Sequence, residues 1–255
     1  MIVHFIRGPF GRAPRALLAG LALLALPAMS HAARQAPDDE PRRVRITERD
    51  VEESNREVAS AYGALVAMWK DEFAARGATF RAPRIAAYRG SALTACGPMP
   101  PSNAVYCMNN NTIYFDEIFL AAQSRITGDA LGSDGDMASV GIIAHEMGHS
   151  VALQMGRMGR DSYTTEAIAD CFAGAFTKHS AREGLLEDGD TEEAFFAMAA
   201  AADPELRPTG NARRDWRNEM RLARARHGTR EQRQANFRLG LERGVDGCLV
   251  NRFAA

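Results

Sequence analysis

Residues 145–149 read His145-Glu146-Met147-Gly148-His149, and their types and spacing suit metal chemistry. On a helix, side chains four residues apart leave the same face one turn above the other. Two imidazoles so placed can share one ion, and imidazole nitrogen suits zinc. Glu146, one step round the helix, reaches a water on such an ion without being a ligand. A chain of this composition shows the pattern by chance about once in a hundred, so the motif needs support. It comes from Thr164 to Gly174. A hydrolytic zinc site keeps three protein ligands and one open position. The short connection from Gly156 to Asp161 lets a second helix return and present Glu166 as the third ligand. Asp170, four residues on, can accept the second ring N–H of a ligand histidine. Charge stabilisation of a helix N-terminus is the competing use of Glu166. Burying His145, Glu146 and His149 without an ion would require hydrogen-bond partners for all three.

H-E-x-x-H followed by E-x-x-x-D resembles the pattern of gluzincin-type peptidases. The run from Ile143 to Phe176, particularly Ala169-Asp170-Cys171-Phe172-Ala173-Gly174, resembles the putative neutral zinc metallopeptidase family of bacteria. The resemblance extends roughly from Arg84 to Cys248, interrupted by an arginine-rich segment. It takes in a cysteine before a tyrosine-containing strand that ends in Asp116, and His227-Gly228 followed by Glu231-Gln232-Arg233. It departs at Ser150-Val151-Ala152-Leu153 and after Arg233, departures that bear on substrate preference. The fold it implies is α+β and zincin-like, mostly helical, with a small sheet beside the H-E-x-x-H helix. The function it implies is that of a zinc metalloendopeptidase acting on peptide or unfolded protein, with a strand edge over the cleft that pairs with extended substrate. One Zn2+ per chain would be held by His145, His149 and Glu166, with Asp170 behind them and a zinc-activated water deprotonated by Glu146 as general base. His227 and Tyr163 are candidate oxyanion donors, although a helix-cap histidine and an ordinary aromatic explain them equally. The alternative is a non-catalytic zinc-binding envelope protein or chaperone-like module on the same fold.

Residues 1–32 read as a signal peptide: Arg7, Arg12 and Arg15, an apolar run from Ala16 to Leu26, then Ser30-His31-Ala32 as a cleavage site. The run is short of the ~20 residues that span a bilayer, so no stable membrane insertion is expected after cleavage. The protein is expected in the periplasm or secreted. Without those three arginines 28 basic side chains face 32 acidic ones, a net charge of −4, and nothing points to nucleic acid. Four cysteines in an exported chain favour two disulfides. Cys96 and Cys107 bracket a turn-rich loop, and Cys171 and Cys248 would tie the metal helix to the C-terminal region.

Other elements must position these residues. Residues 33–46 lack periodicity and read as a loose segment, with a single metallopeptidase domain over 47–255. Val58, Tyr62, Leu65, Trp69 and Phe73 form a helical stripe after Thr47 as N-cap, with Gly77 as the stop. Its mixed charges favour core packing over a membrane surface. Pro83–Tyr88 and Thr112–Phe115 read as strands, the second as a core strand, the cleft edge, or both. Glu117–Ile126 reads as a short helix, and residues 127–135 as a loop feeding Asp136 as N-cap of the metal helix. Asp129, Asp134 and Asp136 do not match an EF-hand, and capping and turn roles account for them. An alanine-rich helix follows from Asp190 to Ala202. Pro204–Arg226 carries seven arginines against three acids and reads as a solvated helical insertion. Thr229 and Gln232 form a capping box for a last helix ending at Gly244.

Overall fold

The computed structural model describes residues 45–251 and 253, apart from 204–205 and 225–226. The expected leader lies outside the described residues, as does nearly all of 33–46. Helix α1 (Glu48–Ala75) opens with the reciprocal capping box of Thr47 and Asp50 and ends just before Gly77, whose φ is +70°. Its stripe buries Val58, Leu65, Trp69 and Phe73, with Trp69 meeting the edge of Phe172 at 5.1 Å. Tyr62 stays half-buried because its hydroxyl donates to the Pro83 carbonyl at 2.6 Å, tying α1 to the start of the sheet.

The strands are β1 (Arg84–Tyr88), β2 (Ala92–Thr94), β3 (Gly97–Met99), β4 (Ala104–Cys107) and β5 (Thr112–Asp116). β5 is central, parallel to β1 and antiparallel to β4, while β2 and β3 form a separate hairpin. Thr112–Phe115 is therefore a core strand, with Ile113 fully buried, and of the two edge strands, β1 and β4, it is β4 that lines the cleft beside His145 and His149. The sequence conceals β4 because the strand is only four residues long, set between a proline-rich turn and an asparagine turn. The Cys96–Cys107 disulfide fastens the hairpin region to the end of this edge strand.

Six helices follow: α2 (Glu117–Leu131), α3 (Asp136–Gln154), α4 (Ser162–Arg182), α5 (Asp190–Ala200), α6 (Ala212–Arg224) and α7 (Arg230–Val250). α2 runs on past the expected end at Ile126 to Leu131. Gly128 permits this, since a Cβ there would press on the backbone of Ser133 and Asp134, and left-handed Gly132 is the stop. The N-cap of α3 is Gly135, not Asp136, which stands in the first turn. Its capping comes instead from α5: both oxygens of buried Glu193 accept backbone N–H groups, from Gly135 and Met137, at 3.1 Å each. α7 breaks at Gly244 as expected, but helix resumes beyond the kink and carries Cys248 to Cys171. α6 is solvated, with Trp216 59% exposed. Among the described residues no helix is long and apolar enough to cross a membrane.

Three glycines set how closely the site helices approach. A Cβ at Gly148 of α3 would press on the Ala169 backbone of α4. On the other side of α4, a Cβ at Gly174 would collide with the Phe237 carbonyl, and one at Gly240 with the Cys171 carbonyl. Backbone contact on both flanks thus locks α4 between the metal helix and the last helix. The Cys171–Cys248 bridge closes that contact across 77 residues. Loop-closure entropy puts a ceiling of about 4–5 kcal/mol on its contribution, and native bridges typically contribute about 2–4 kcal/mol. Replacing both cysteines by alanine is expected to lower unfolding free energy by that smaller amount in denaturant titrations. Replacing Cys96 and Cys107, separated by only 11 residues, is expected to cost less.

Candidate metal centre

Glycine at position 148 brings one face of α3 against α4, and from these two helices four functional groups converge. His145 and His149 project from one face of α3, their Nε2 atoms 3.1 Å apart. Glu166, in the second turn of α4, places Oε2 3.1 Å from His145 Nε2 and Oε1 3.6 Å from His149 Nε2. Four donors at roughly 2.0–2.1 Å around a tetrahedral zinc stand about 3.3–3.4 Å from one another. The observed spacings bracket that edge, so the two imidazoles and the carboxylate fit a zinc ion with little rearrangement. The donors are nitrogen and oxygen, a set that suits zinc, and both cysteine pairs are engaged in disulfides.

The electrostatics of the cluster agree with its geometry. Desolvation, then the neighbouring charge of His145, draws His149 down to about 4, leaving it neutral, the form that ligates metal. Desolvation also opposes charge on His145, but Asp170 at one ring nitrogen and Glu166 at the other outweigh it and push His145 up to about 10. Burial raises Glu166 less than the two histidines lower it, and its carboxyl falls to about 2.

Behind His145 lies a buried assembly only partly foreseen. Asp170, with no exposed surface, accepts the His145 Nδ1–H at 2.8 Å as expected. The same Oδ1 accepts Arg233 Nη2–H at 2.6 Å, and Oδ2 accepts Arg233 Nε–H at 3.1 Å. Arg233 is 3% exposed and also donates to the Ala201 carbonyl at 2.7 Å. Its Nη2 lies 3.3 Å from His145 Nδ1, but both carry protons directed at Asp170, so that approach is a shared acceptor rather than a bond. Desolvation works against the Asp170 charge, yet Arg233 and His145 hold its carboxyl below the usual range. Arg233 lies in the Glu231-Gln232-Arg233 run noted in the sequence. The signal for its role was stoichiometric, since a buried aspartate on a metal-site helix needs a cation beside it.

Glu146 faces the cleft opposite Glu166, 7% exposed, and burial pushes its carboxyl up. Its Oε2 accepts the Tyr106 N–H of β4 at 2.6 Å. Asp116 N–H bonds to Asn103 O on the β5 side, so the alternate residues Ala104 and Tyr106 turn their backbone groups away from the sheet toward the metal face. The cleft encloses about 500 Å³, with Val105, Phe119, Ile142, Leu153, Met158 and Met198 among its walls. His227 is also on the wall, half-exposed, its Nδ1 3.2 Å from Asp203 Oδ1. Tyr163 is buried against Gly228 and is not on the wall.

A small mixed sheet beside two packed helices that carry H-E-x-x-H and E-x-x-x-D defines a zincin-like α+β protein. The family described as "Putative neutral zinc metallopeptidase" matches residues 1–249, and the chain belongs to it. It is 32% identical over 201 residues to "Uncharacterized protein YpfJ" of Escherichia coli strain K12, covering 72% of this chain and 66% of the relative. It is 28% identical over 194 residues to "Uncharacterized protein Rv2575" of Mycobacterium tuberculosis strain H37Rv, covering 68% of this chain and 63% of the relative. The chain thus spans just under two thirds of the length of these relatives. No solved structure matches.

Proposed function

We propose that this chain is an exported zinc metalloendopeptidase that cleaves extended or unfolded polypeptide. The observation that carries the reading is the triangle of His145, His149 and Glu166 donors at 3.1–3.6 Å with a non-ligand carboxylate, Glu146, turned into the same cleft. A zinc ion there supplies acidification of water and polarisation of a peptide carbonyl. The rest of the work falls to the chain. Glu146 takes the proton from the attacking water and returns it to the leaving amine. Its raised proton affinity brings a carboxylate nearer the range useful for that shuttle. Asp170 and Arg233 keep His145 in the tautomer that leaves Nε2 free for metal. The outward groups of β4 at Ala104 supply main-chain hydrogen bonds to a substrate strand, which restricts substrates to extended chain. Of the two candidate oxyanion donors we favour His227, which lines the cleft and contacts Asp203, over Tyr163, which is buried against Gly228.

Export is supported by the basic and apolar pattern of residues 7–32 and by two disulfides, bonds that persist in oxidising compartments. The test of the whole reading is elemental analysis together with an assay on a denatured protein. One zinc per chain is expected, with chelator-sensitive hydrolysis restored by zinc. His145→Ala, His149→Ala and Glu166→Ala are each expected to lose both metal and activity. A Glu166→Ala protein that keeps full zinc affinity would move the third ligand elsewhere.

A further inference from the structure

The acidic junction between α2 and α3 is not accounted for by capping. Gly135, not Asp136, is the N-cap, and Asp136 Oδ1 is buried without a hydrogen-bond partner. Asp129 is paired with Arg125 one turn earlier, but exposed Asp134 makes no side-chain hydrogen bond among the described residues. Glu193 reaches the same place from α5, where its two oxygens already accept the Gly135 and Met137 N–H groups and keep lone pairs to spare. Asp134, Asp136 and Glu193 each present one carboxylate oxygen, and these three atoms lie within 4.8 Å of one another.

The opposite wall comes from α1. A cleft of about 330 Å³ separates Asp134 and Asp136 from Asp50, Glu53 and Glu57, with Arg125 as the one basic side chain on its walls among the described residues. Ser54 lines this cleft too. It is 4% exposed, and its Oγ has no hydrogen-bond partner. A buried hydroxyl without a partner is costly, and it is an oxygen donor available to a ligand. Asp136 Oδ1, also on this cleft and without a partner, is a second such oxygen.

We propose that the end of this cleft where Asp134 and Asp136 meet Glu193 is a second metal site, binding a calcium ion through those three carboxylates, with water completing the shell and linking it to Ser54 Oγ on the facing wall. The donor set is all oxygen, without imidazole or thiolate, which selects a hard cation over zinc. Calcium–oxygen distances of roughly 2.3–2.6 Å put opposite donors about 5 Å apart and adjacent ones about 3.5 Å apart. Three oxygens within 4.8 Å of each other fall inside that envelope. The partial positive charge of the α3 N-terminus, roughly half a unit, is outweighed by three carboxylates. The ion would clamp α1, the residue 132–136 loop and α5 at the start of α3. Asp136 is nine residues from His145, about 14 Å along the helix, so the clamp acts on stability and not on the reacting atoms.

Calorimetric titration of the zinc-loaded protein with calcium chloride is expected to show one equivalent bound. At one hundred times the dissociation constant, the unfolding midpoint should rise by about 5 °C or more. Asp136→Asn should weaken calcium binding at least tenfold while raising the midpoint in calcium-free buffer, because it relieves the repulsion. Asp134→Asn, at an exposed position, should weaken binding similarly and serves if the buried variant misfolds. Ser54→Ala should weaken it less. His149→Ala, which addresses the zinc centre, should keep the calcium response. The proposal is overturned by no binding heat and no midpoint shift up to about 10 mM calcium, well above the ~10⁻⁴–10⁻³ M range of extracellular modules. It is equally overturned by an equal response to magnesium, or by calcium binding that survives both aspartate substitutions.

Discussion

Glu146→Gln is expected to abolish most peptide hydrolysis while leaving zinc content and thermal midpoint near those of the unaltered protein. Glutamine preserves size and can still accept the Tyr106 N–H through its carbonyl oxygen, so the packing between α3 and β4 survives. What it lacks is a proton acceptor for water. A positioned acid or base contributes roughly 10²–10⁴-fold, and a loss of at least that size is expected on a denatured substrate. Measuring metal and activity on the same preparation separates the readings. A non-catalytic zinc protein has no chelator-sensitive activity to lose, and a chaperone-like module would go on suppressing aggregation in the variant. If Glu146 were a ligand, zinc would leave with the activity. Zinc-dependent activity that persists unchanged in Glu146→Gln would refute the general-base role and leave the metal site standing.

The second large effect is expected at Arg233, which touches none of the reacting atoms yet holds the charge balance behind His145. Arg233→Met leaves Asp170 with no exposed surface and only His145 as partner. Removing one member of a buried ion pair costs about 3–5 kcal/mol, because the remaining charge stays desolvated. The Ala201 carbonyl loses its donor as well. Denaturant unfolding of the zinc-free protein should register a loss of that size. Zinc competition should register a further change, since groups that orient a ligand histidine are worth about 10–100-fold in affinity. The double variant Arg233→Met with Asp170→Leu distinguishes the two effects. Replacing the whole buried pair by apolar side chains should recover most of the stability. It should not recover zinc affinity, because His145 Nδ1–H would have no acceptor. Wild-type stability in Arg233→Met would mean that Asp170 is satisfied some other way.

The parts legible in the sequence are those governed by local geometry. Helical periodicity places His145 over His149 and Glu166 over Asp170, whatever the rest of the chain does. Thr47, Asp161 and Thr229 cap their helices through residues three positions on, so those starts are written in short stretches. Gly77 stops α1 because its backbone must turn left-handed. Four cysteines limit the possible pairings to three, and the turn between Cys96 and Cys107 makes the observed one the local choice.

Most of what was decided between distant segments was hidden. β4 has too few residues to declare itself, and its place at the sheet edge depends on β5 pairing with β1 on the other side. Asp136 looks like a cap, but α5 delivers Glu193 to that helix end, 56 residues beyond its partner Met137. Arg233 meets Asp170 across a separation of 63 residues, at a contact that exists because Gly174 and Gly240 let α4 and α7 touch backbone to backbone. The amino-acid order thus determined which side chains share a helix face, His145 with His149 and Glu166 with Asp170, since a helix fixes neighbours at three and four residues by its own hydrogen bonds. Only the tertiary structure decided which buried charges face each other, because that follows from how closely whole helices pack, and no short stretch of sequence contains both partners.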